Sequence, residues 1–197
     1  KIAAELKYLK NQIQPHFLFN TLNNLYGLVL SKDERGPDTI LRLSDMLGYM
    51  LYESSTSTVL LQNEIENLKN YIALEKIRYD RKLKLNVDLG EVPEDAEIAP
   101  MLLIPFVENA FKHGPAKEER KSEIDIFAAF EEGVFTFKVD NTFSKDQIDE
   151  HIKSGIGLNY VKKRLELIYS GNYTLEINEG EHFSVTLRLN LEEVTDE

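Results

Sequence analysis

The spacing of the apolar residues changes near residue 80, and this change limits the folds open to the chain. Before that point, apolar residues recur every three or four positions, which is typical of helices. After it, Leu83, Leu85, Val87 and Leu89 alternate with polar residues, as they do in a half-exposed strand. The sequence therefore predicts an α+β chain with a helical first half and a mixed second half.

The helical half is predicted to begin with a hairpin. Residues 1–31 form one long predicted helix, residues 32–37 a turn, and Asp38 the N-cap of a second helix that ends near Glu53. A hairpin cannot bury both apolar faces alone, so we expect a homodimer that completes a four-helix bundle. The apolar positions on which this rests are Leu6, Leu9 and Ile13, in phase with His16 and Asn20, and then Ile40, Leu43, Met46, Leu47, Met50 and Leu51.

The rest of the chain is predicted to contain three more helices and five strands. The predicted helices cover residues 62–79, 101–112 and 158–169. The predicted strands cover 83–89, 124–130, 134–139, 173–177 and 183–189, and a loop rich in charge and serine covers 141–154. These elements predict three units: 1–57, a connecting segment 58–80, and 81–197.

Composition excludes several classes of function. No apolar run reaches the roughly 18 residues that a membrane span needs. The formal charge of −11 opposes direct binding of nucleic acid, because the phosphate backbone would repel the chain. The absence of cysteine excludes disulfides, thiolate catalysis and cysteine-based zinc sites. Because Lys1 stands inside an apolar-periodic pattern, we expect the chain to be a fragment of a longer protein.

The segment around His16 is unusual for a structural helix. Pro15 removes a backbone donor and costs about 3 kcal/mol in a helix interior. His16 and Asn20 are four residues apart and share one helix face. A neutral imidazole is a competent nucleophile, and the amide would orient a water or steady a phosphoryl group beside it. The alternative, favoured when this segment stands alone, is that Pro15 begins a helix and His16 is a buried, hydrogen-bonded core residue.

A second candidate segment ends the apolar run that begins at Ile98. Asn109 offers a hard amide oxygen of the kind that binds Mg²⁺, and Lys112, about one helical turn later, would reach phosphates. The alternative is an ordinary helix end, with Lys112 and His113 interacting with the helix dipole and Gly114 as the cap. The segment alone does not separate the two.

Two later segments add to the nucleotide interpretation. Asp140 follows a predicted strand, where its carboxylate would accept a hydrogen bond from an exocyclic amine such as that of adenine; a plain turn residue is the favoured alternative. Gly155 and Gly157 precede a predicted helix, so the backbone would approach a phosphate there. A lone Gly-x-Gly is a weak signal that gains weight from its position after the other segments.

Longer motifs carry a family resemblance. Residues 12–24, QIQPHFLFNTLNN, closely resemble the histidine box of the LytS-like sensor histidine kinases. Residues 59–79 resemble their connecting segment, and residues 100–114, PMLLIPFVENAFKHG, their N box. Residues 155–169, GIGLNYVKKRLELIY, resemble the second glycine box. The match extends over nearly the whole chain.

The resemblance implies a fold for each unit. Residues 1–57 would be the histidine-containing dimerisation hairpin, residues 58–80 a connecting helix, and residues 81–197 a Bergerat-type ATP-binding domain like that of gyrase. The phosphoryl group of ATP would pass to a histidine and then to an aspartate of a response regulator. The loop 141–154 would be a mobile ATP lid.

The resemblance also implies roles for individual residues. His16 would be the phosphoacceptor, Asn109 the Mg²⁺ ligand and Asp140 the adenine reader, with the Gly155 and Gly157 loop on the phosphates. The complete predicted site adds residues beside these: Asn20 and Glu108 next to the histidine, with Glu108 polarising the imidazole, and Lys112, His113 and Leu158 next to the nucleotide.

Partners and location follow from the same resemblance. Family members usually follow a membrane-spanning sensor, so the chain is expected at the cytoplasmic face of the inner membrane, attached through a segment that it does not contain. The expected regulator is of the LytTR type. The chain departs from the family pattern at Thr142, where glycine is frequent, and at Tyr160, where asparagine is usual.

Two other functions remain open from the residues alone. The first is a pseudokinase, a dimeric scaffold that binds nucleotide without transferring its phosphoryl group. The second is a gyrase-like ATPase that transfers the phosphoryl group to water. The histidine box argues against the second of these.

Overall fold

The computed structural model describes residues 15–53, 56–79, 83–113, 122–142, 156–180 and 182–192. These residues form five helices: α1 Pro15–Leu30, α2 Gly36–Tyr52, α3 Leu61–Tyr79, α4 Ile104–His113 and α5 Ile156–Ile168. They form seven strands: β1 Val59–Leu60, β2 Leu83–Leu89, β3 Glu97–Ile98, β4 Ser122–Glu131, β5 Val134–Thr142, β6 Tyr173–Glu179 and β7 His182–Asn190. This mixed architecture confirms the predicted α+β class.

Helices α1 and α2 form the predicted hairpin, but α2 begins earlier than expected. Its N-cap is Arg35, which makes no side-chain capping hydrogen bond, and Asp38 lies within the first turn. The predicted N-cap at Asp38 is therefore wrong. Pro37 explains the difference, because its fixed φ suits the first turn of a helix and no donor is lost there.

The hairpin packs against α3 through one face and leaves apolar side chains on another. Leu43, Met46 and Tyr49 of α2 are buried in the core, together with Phe17 of α1. Several large apolar residues that point elsewhere are exposed, including two that the sequence pattern assigned to the packed face, Ile40 and Leu51. The exposed set is Phe19, Leu22, Tyr26, Val29, Leu30, Ile40, Leu41, Leu51 and Tyr52.

A five-stranded sheet in the order β2-β4-β5-β7-β6 organises the second half. β2 and β4 run parallel, and the other neighbouring pairs are antiparallel. Alternate residues of β5 point to the buried side, where Phe137 meets Phe106 of α4 with ring centroids 6.0 Å apart. The buried side of the sheet is therefore the side that carries the helices.

A two-stranded ladder that the sequence did not predict joins the two halves. β1 pairs antiparallel with β3, Val59 opposite Ile98 and Leu60 opposite Glu97. The N–H of Leu61 then donates to the carbonyl of Ala96 at 2.7 Å. The start of α3 is thereby fixed to the segment that leads into α4.

The remaining predicted elements agree with the structure to within a few residues. The apolar run from Ile98 to Val107 is buried as predicted, apart from the half-buried Pro105. The predicted loop differs at its start, because Asn141 and Thr142 still belong to β5. The rest of that loop, the first half of the predicted long first helix and residues 80–82 before β2 lie outside the described residues. Among the described helices, none is long and apolar enough to cross a membrane.

Candidate active site

His16 is the second residue of α1, and the side-chain amide of Asn20 contacts its imidazole ring. The side chain is exposed, so the alternative of a buried core histidine is wrong. The Nδ2 atom of Asn20 lies 3.0 Å from Nδ1 and 3.3 Å from Nε2 of the imidazole. An amide N–H donates, so the ring nitrogen that receives it lacks a proton. The buried face of α1 carries Phe17 and Thr21 instead, which leaves the imidazole directed away from the core.

An open cleft of about 190 Å³ lies beside His16 and between three helices. Its walls come from α1, α3 and α4, so residues far apart in sequence meet there. We call this the histidine cleft; it is lined by His16, Phe17, Tyr71, Glu75, Arg78, Tyr79, Glu108, Phe111 and Lys112.

Aromatic contacts hold the three walls of the histidine cleft together. Phe17 of α1 stacks on Tyr71 of α3 with ring centroids 4.9 Å apart. Tyr79, farther along α3, stacks on Phe111 of α4 at 5.7 Å, and its hydroxyl donates to the carbonyl of Phe111 at 3.1 Å. The rings of α3 thus contact both α1 and α4, which sets the position of His16 relative to α4.

Two carboxylates in the histidine cleft are partly or fully removed from water. Glu75 is 3% exposed and accepts a hydrogen bond from Arg78 at 3.0 Å. Burial raises the pKa of Glu75, while Arg78 and, to a smaller extent, His16 oppose that rise. Burial also raises the pKa of Glu108, with Lys112 lowering it and Glu75 raising it further. Glu108 and Lys112 were predicted at the site, whereas Glu75 was missed.

Helix α4 presents the predicted nucleotide residues on two faces. Lys112 is exposed and, with Glu108, lines the histidine cleft. Asn109 is half-buried and stands three residues after Phe106, on the side of α4 that approaches the sheet. His113 is the last residue of α4. The structure therefore brings Glu108 and Lys112 to His16 and turns Asn109 toward the sheet.

At the end of β5, the structure separates two neighbouring side chains. Asp140 points to the sheet face opposite the helices, where an oxygen of its carboxylate lies 2.8 Å from Nδ1 of His182. Asn141 points to the helix side and is 1% exposed, with its amide donating to the carbonyl of Thr142 at 3.0 Å. The hydroxyl of Thr142 accepts the N–H of Glu123 at 3.0 Å and closes the β4–β5 pair. The placement of Asp140 does not favour its predicted role as adenine reader, and the residue aimed at the interior is Asn141.

The predicted second glycine motif lies at the start of α5. Gly155 lies outside the described residues, while Gly157 and Leu158 belong to the first turn of α5. Leu158 is half-buried and packs against the core. The departure Tyr160 is half-buried in the same helix.

Helix α5 anchors the segment before α4 through buried polar side chains. Arg164, which is 2% exposed, donates to the carbonyls of Pro100 and Met101. The hydroxyl of Tyr169 accepts the N–H of Ala99 at 2.7 Å. Of the three consecutive basic residues of α5, Arg164 is therefore structural, while Lys162 and Lys163 are exposed.

A second buried carboxylate of α3 holds the same segment from the other side. Oε1 of Glu64 accepts the N–H groups of Leu102 at 2.9 Å and Leu103 at 3.1 Å. Its Oε2 accepts the N–H of Met101 at 2.9 Å and the hydroxyl of Tyr49. Met101 has a φ of 58°, the left-handed region that side chains rarely adopt. We call this arrangement the Glu64 clamp; it joins α2, α3 and the entrance to α4.

Comparisons with known proteins agree with this architecture. A family model described as histidine kinase matches residues 4–83. An uncharacterized sensor-like histidine kinase of Staphylococcus epidermidis is 38% identical over 122 residues, which cover 62% of this chain and 24% of the relative. The sensor protein kinase HptS of Staphylococcus aureus is 36% identical over 110 residues, covering 56% of this chain and 21% of that protein.

These findings support a LytS-like sensor histidine kinase. The family predicted from the sequence motifs is thereby confirmed. The matched regions cover about a quarter or less of the length of these two relatives. A solved structure, the histidine kinase domain of a blue-light activated histidine kinase from Erythrobacter litoralis EL346, has a TM-score of 0.53 at 14% identity. It covers 96% of this chain and 92% of that one, and it shows the fold of a histidine kinase domain.

Proposed function

We propose that this chain is the catalytic region of a two-component sensor histidine kinase. It binds Mg·ATP, transfers the γ-phosphoryl group to His16, and passes that group to an aspartate of a response regulator. The observation that carries the proposal is that His16 shares the histidine cleft with Glu108 and Lys112 of α4. The proposed nucleophile, His16 of α1, and a cation that suits phosphate, Lys112 of α4, therefore line the same cleft.

The residues of α4 fit the nucleotide and its metal. The ammonium of Lys112 is exposed at the cleft and would offset the charge of the phosphates. Asn109 would hold Mg²⁺, because an amide oxygen is a hard ligand and the ion shares the phosphate oxygens. Bound Mg²⁺ supplies charge neutralisation on the phosphates. The N–H groups in the first turn of α5, with Gly157 and Leu158, would add donors for the phosphates, continuing from Gly155.

The protein contributes mainly position and electrostatics to phosphoryl transfer. The nucleophilic nitrogen and the γ-phosphorus must approach to about 3–3.5 Å in line with the leaving oxygen. The side-chain amide of Asn20 contacts the ring and would orient the imidazole for attack. Glu108 would polarise the ring from α4.

For recognition of the base we propose Asn141 in place of Asp140. Asn141 lies on the helix side of the sheet, in line with the core positions of β5, and its amide oxygen would accept the exocyclic amine of adenine. Asp140 is turned toward His182 on the other face. The amide also has a donor, so Asn141 would discriminate less sharply against guanine than a carboxylate would.

The assembly that we propose is a homodimer through α1 and α2. The exposed apolar side chains of the hairpin support it, among them Tyr26 at 66%, Leu41 at 63% and Leu51 at 71%. A second copy that covers them would complete the four-helix bundle. The regulator that docks on this bundle would be of the LytTR type, and the sensor would lie in a membrane-bound part of the whole protein.

Autophosphorylation with γ-labelled ATP tests the proposal. The parent should take up label that is stable to alkali and labile to acid, and His16→Gln should take up none while its ATP affinity is unchanged. His182→Gln is the matched control, because His182 is an exposed histidine that does not line the histidine cleft, and it should label like the parent. Label that persists in His16→Gln would contradict the proposal.

The same assay separates the two other functions. A parent that binds ATP, takes up no label and releases no phosphate would be a pseudokinase. A parent that releases phosphate without becoming labelled would be an ATPase that uses water.

Calorimetric titration with ATP and GTP tests the base-reading residue. Asn141→Ala should weaken ATP binding about tenfold, as expected for about 1.4 kcal/mol, whereas Asp140→Asn should leave the ATP affinity within about twofold of the parent. A loss of ATP affinity and of discrimination in Asp140→Asn, with none in Asn141→Ala, would return the role to Asp140.

A further inference from the structure

Glu75 lines the histidine cleft but has no role in the function proposed above. Glu75 projects from α3 one helical turn after Tyr71, whose ring stacks on Phe17, the neighbour of His16. Its carboxylate is 3% exposed, although it borders an open cleft. The contact between α1 and α3 thus fixes a buried acid beside the proposed phosphoacceptor.

The surroundings of Glu75 leave it able to accept a proton. Its charged hydrogen-bond partner is Arg78, which contacts both carboxylate oxygens, at 3.0 and 3.3 Å. The other titratable groups of the cleft are His16 on α1, Tyr71 and Tyr79 on α3, and Glu108 and Lys112 on α4. Burial raises the pKa of both tyrosines, so their hydroxyl groups stay protonated.

Two carboxylates, Glu75 and Glu108, face the cleft, and they differ in the neighbouring charges that act on them. The charge of His16 acts on Glu75 and lowers its pKa, whereas the charges that act on Glu108 are those of Lys112 and Glu75. Glu75 also lies one helical turn after Tyr71, whose ring packs on α1 next to His16. Glu108 interacts electrostatically with Lys112, on the side of α4 where phosphate would bind.

We propose that Glu75 is the acidic partner of His16, which stabilises the charged imidazole during transfer and then takes its proton. The inference rests on the proposed kinase function. A ring nitrogen of His16 forms a bond to the γ-phosphorus of ATP, and the bond between that phosphorus and the β,γ-bridging oxygen breaks. The electron pair of the broken bond leaves with ADP. The phosphorylated ring is positively charged until its other nitrogen releases a proton to the carboxylate of Glu75.

The first experiment compares Glu75→Gln with the parent in single-turnover autophosphorylation. The rate should fall about 100-fold, because general acid–base partners contribute roughly 10²- to 10⁴-fold. ATP affinity should stay that of the parent, and the melting temperature should not fall below that of the parent. Glu66→Gln is the matched control, since Glu66 lies on the exposed face of α3 and pairs with Lys69, and it should label at the parental rate.

Arg78→Gln separates a chemical role from a structural ion pair. It removes the same ion pair but keeps the carboxylate, whose pKa then rises because Arg78 no longer lowers it. The acidic limb of the pH–rate profile should move to higher pH in Arg78→Gln, and the rate should recover there. In Glu75→Gln the rate should stay low across the profile, while Glu75→Asp should recover at least about tenfold over Glu75→Gln.

Each remaining outcome overturns the inference. It fails if Glu75→Gln labels within twofold of the parent, or if Glu108→Gln loses the rate and the acidic limb while Glu75→Gln keeps both. It also fails if Arg78→Gln matches Glu75→Gln at every pH and Glu75→Asp restores nothing. In all of these the parent still labels His16, so the kinase function stands; a parent without label contradicts that function instead.

Discussion

Helix α3 carries two buried carboxylates, Glu64 and Glu75, that differ in their hydrogen-bond partners and in their access to solvent. Glu64 is fully buried and accepts hydrogen bonds from three backbone N–H groups and from Tyr49. Glu75, eleven residues and about 16 Å farther along the helix, pairs with Arg78 and faces an open cleft. A carboxylate whose acceptor sites are filled holds the structure together. One that borders an open cleft is accessible for the proton transfer proposed above, and the difference predicts distinct consequences of the same substitution.

The largest effect is expected for Glu64→Gln. Whichever oxygen it replaces, the new amide N–H₂ group would face at least one buried backbone N–H, and that donor loses its acceptor. We expect the free energy of unfolding to fall by about 3–4 kcal/mol, measured by urea denaturation. Glu66→Gln, exposed on the same helix, should change it by less than about 0.5 kcal/mol. Equal free energies of unfolding for Glu64→Gln and Glu66→Gln would contradict the structural role of Glu64.

A smaller loss is expected for Tyr49→Phe. The substitution removes one donor from Glu64 and leaves the three backbone donors in place. Urea denaturation should show a loss of roughly 1.5 kcal/mol, the lower end for a hydrogen bond to a charged group. The control is Tyr26→Phe, at an exposed position of α1, which should be neutral. A loss as large as that of Glu64→Gln would mean that the hydroxyl alone maintains the Glu64 clamp.

At Glu75, stability should depend on pH in the opposite sense to a typical ion-paired acid. Burial raises the pKa of Glu75 above its ordinary value of 4.5, so the folded chain binds the proton more tightly than the unfolded chain. The stability from this group is complete below pH 4.5 and is lost as the pH rises through the folded pKa. Glu75→Gln should therefore gain stability relative to the parent as the pH increases. Parallel curves of unfolding free energy against pH would contradict the raised pKa.

The smallest effect is expected where a carboxylate lies in contact with solvent. Asp140 pairs with His182, whose side chain is 48% exposed, on the outer face of the sheet. His182→Ala should change the free energy of unfolding by less than about 0.5 kcal/mol, because solvent screens such pairs. A loss above about 1 kcal/mol in thermal or urea denaturation would show that the pair contributes more than an ordinary surface contact.

Much of the fold follows from the periodicity of the sequence. The boundaries of α3, β2 and β7 are within one residue of those predicted, because long amphipathic segments fix their own period. The ladder of β1 and β3 was not predictable in this way, since two residues per strand show no period. The start of α2 was misplaced because the first turn depends on Pro37 more than on a side-chain cap.

The sequence contains signals for two residues that we propose for the site and that no motif includes. Phe135, Phe137 and Val139 alternate toward the core, so the next position with the same orientation is Asn141 and not Asp140. Glu75 is an acid at helical spacing from the apolar Tyr71, on the buried face of α3. What the sequence alone could not give is the closeness of α1 and α4, because it depends on aromatic contacts between distant segments.

The ladder of β1 and β3 has a consequence for how such chains recombine. A crossover between two related proteins placed after Tyr79 would take β3 and the Met101–Leu103 segment from one parent and β1 and Glu64 from the other. Every strand pairing and hydrogen bond across that junction would then have to match between sequences that were never selected together. A crossover before Val59 keeps these partners on one inherited piece. The unit that can be exchanged intact therefore begins at β1, ahead of the change in periodicity that divides the sequence.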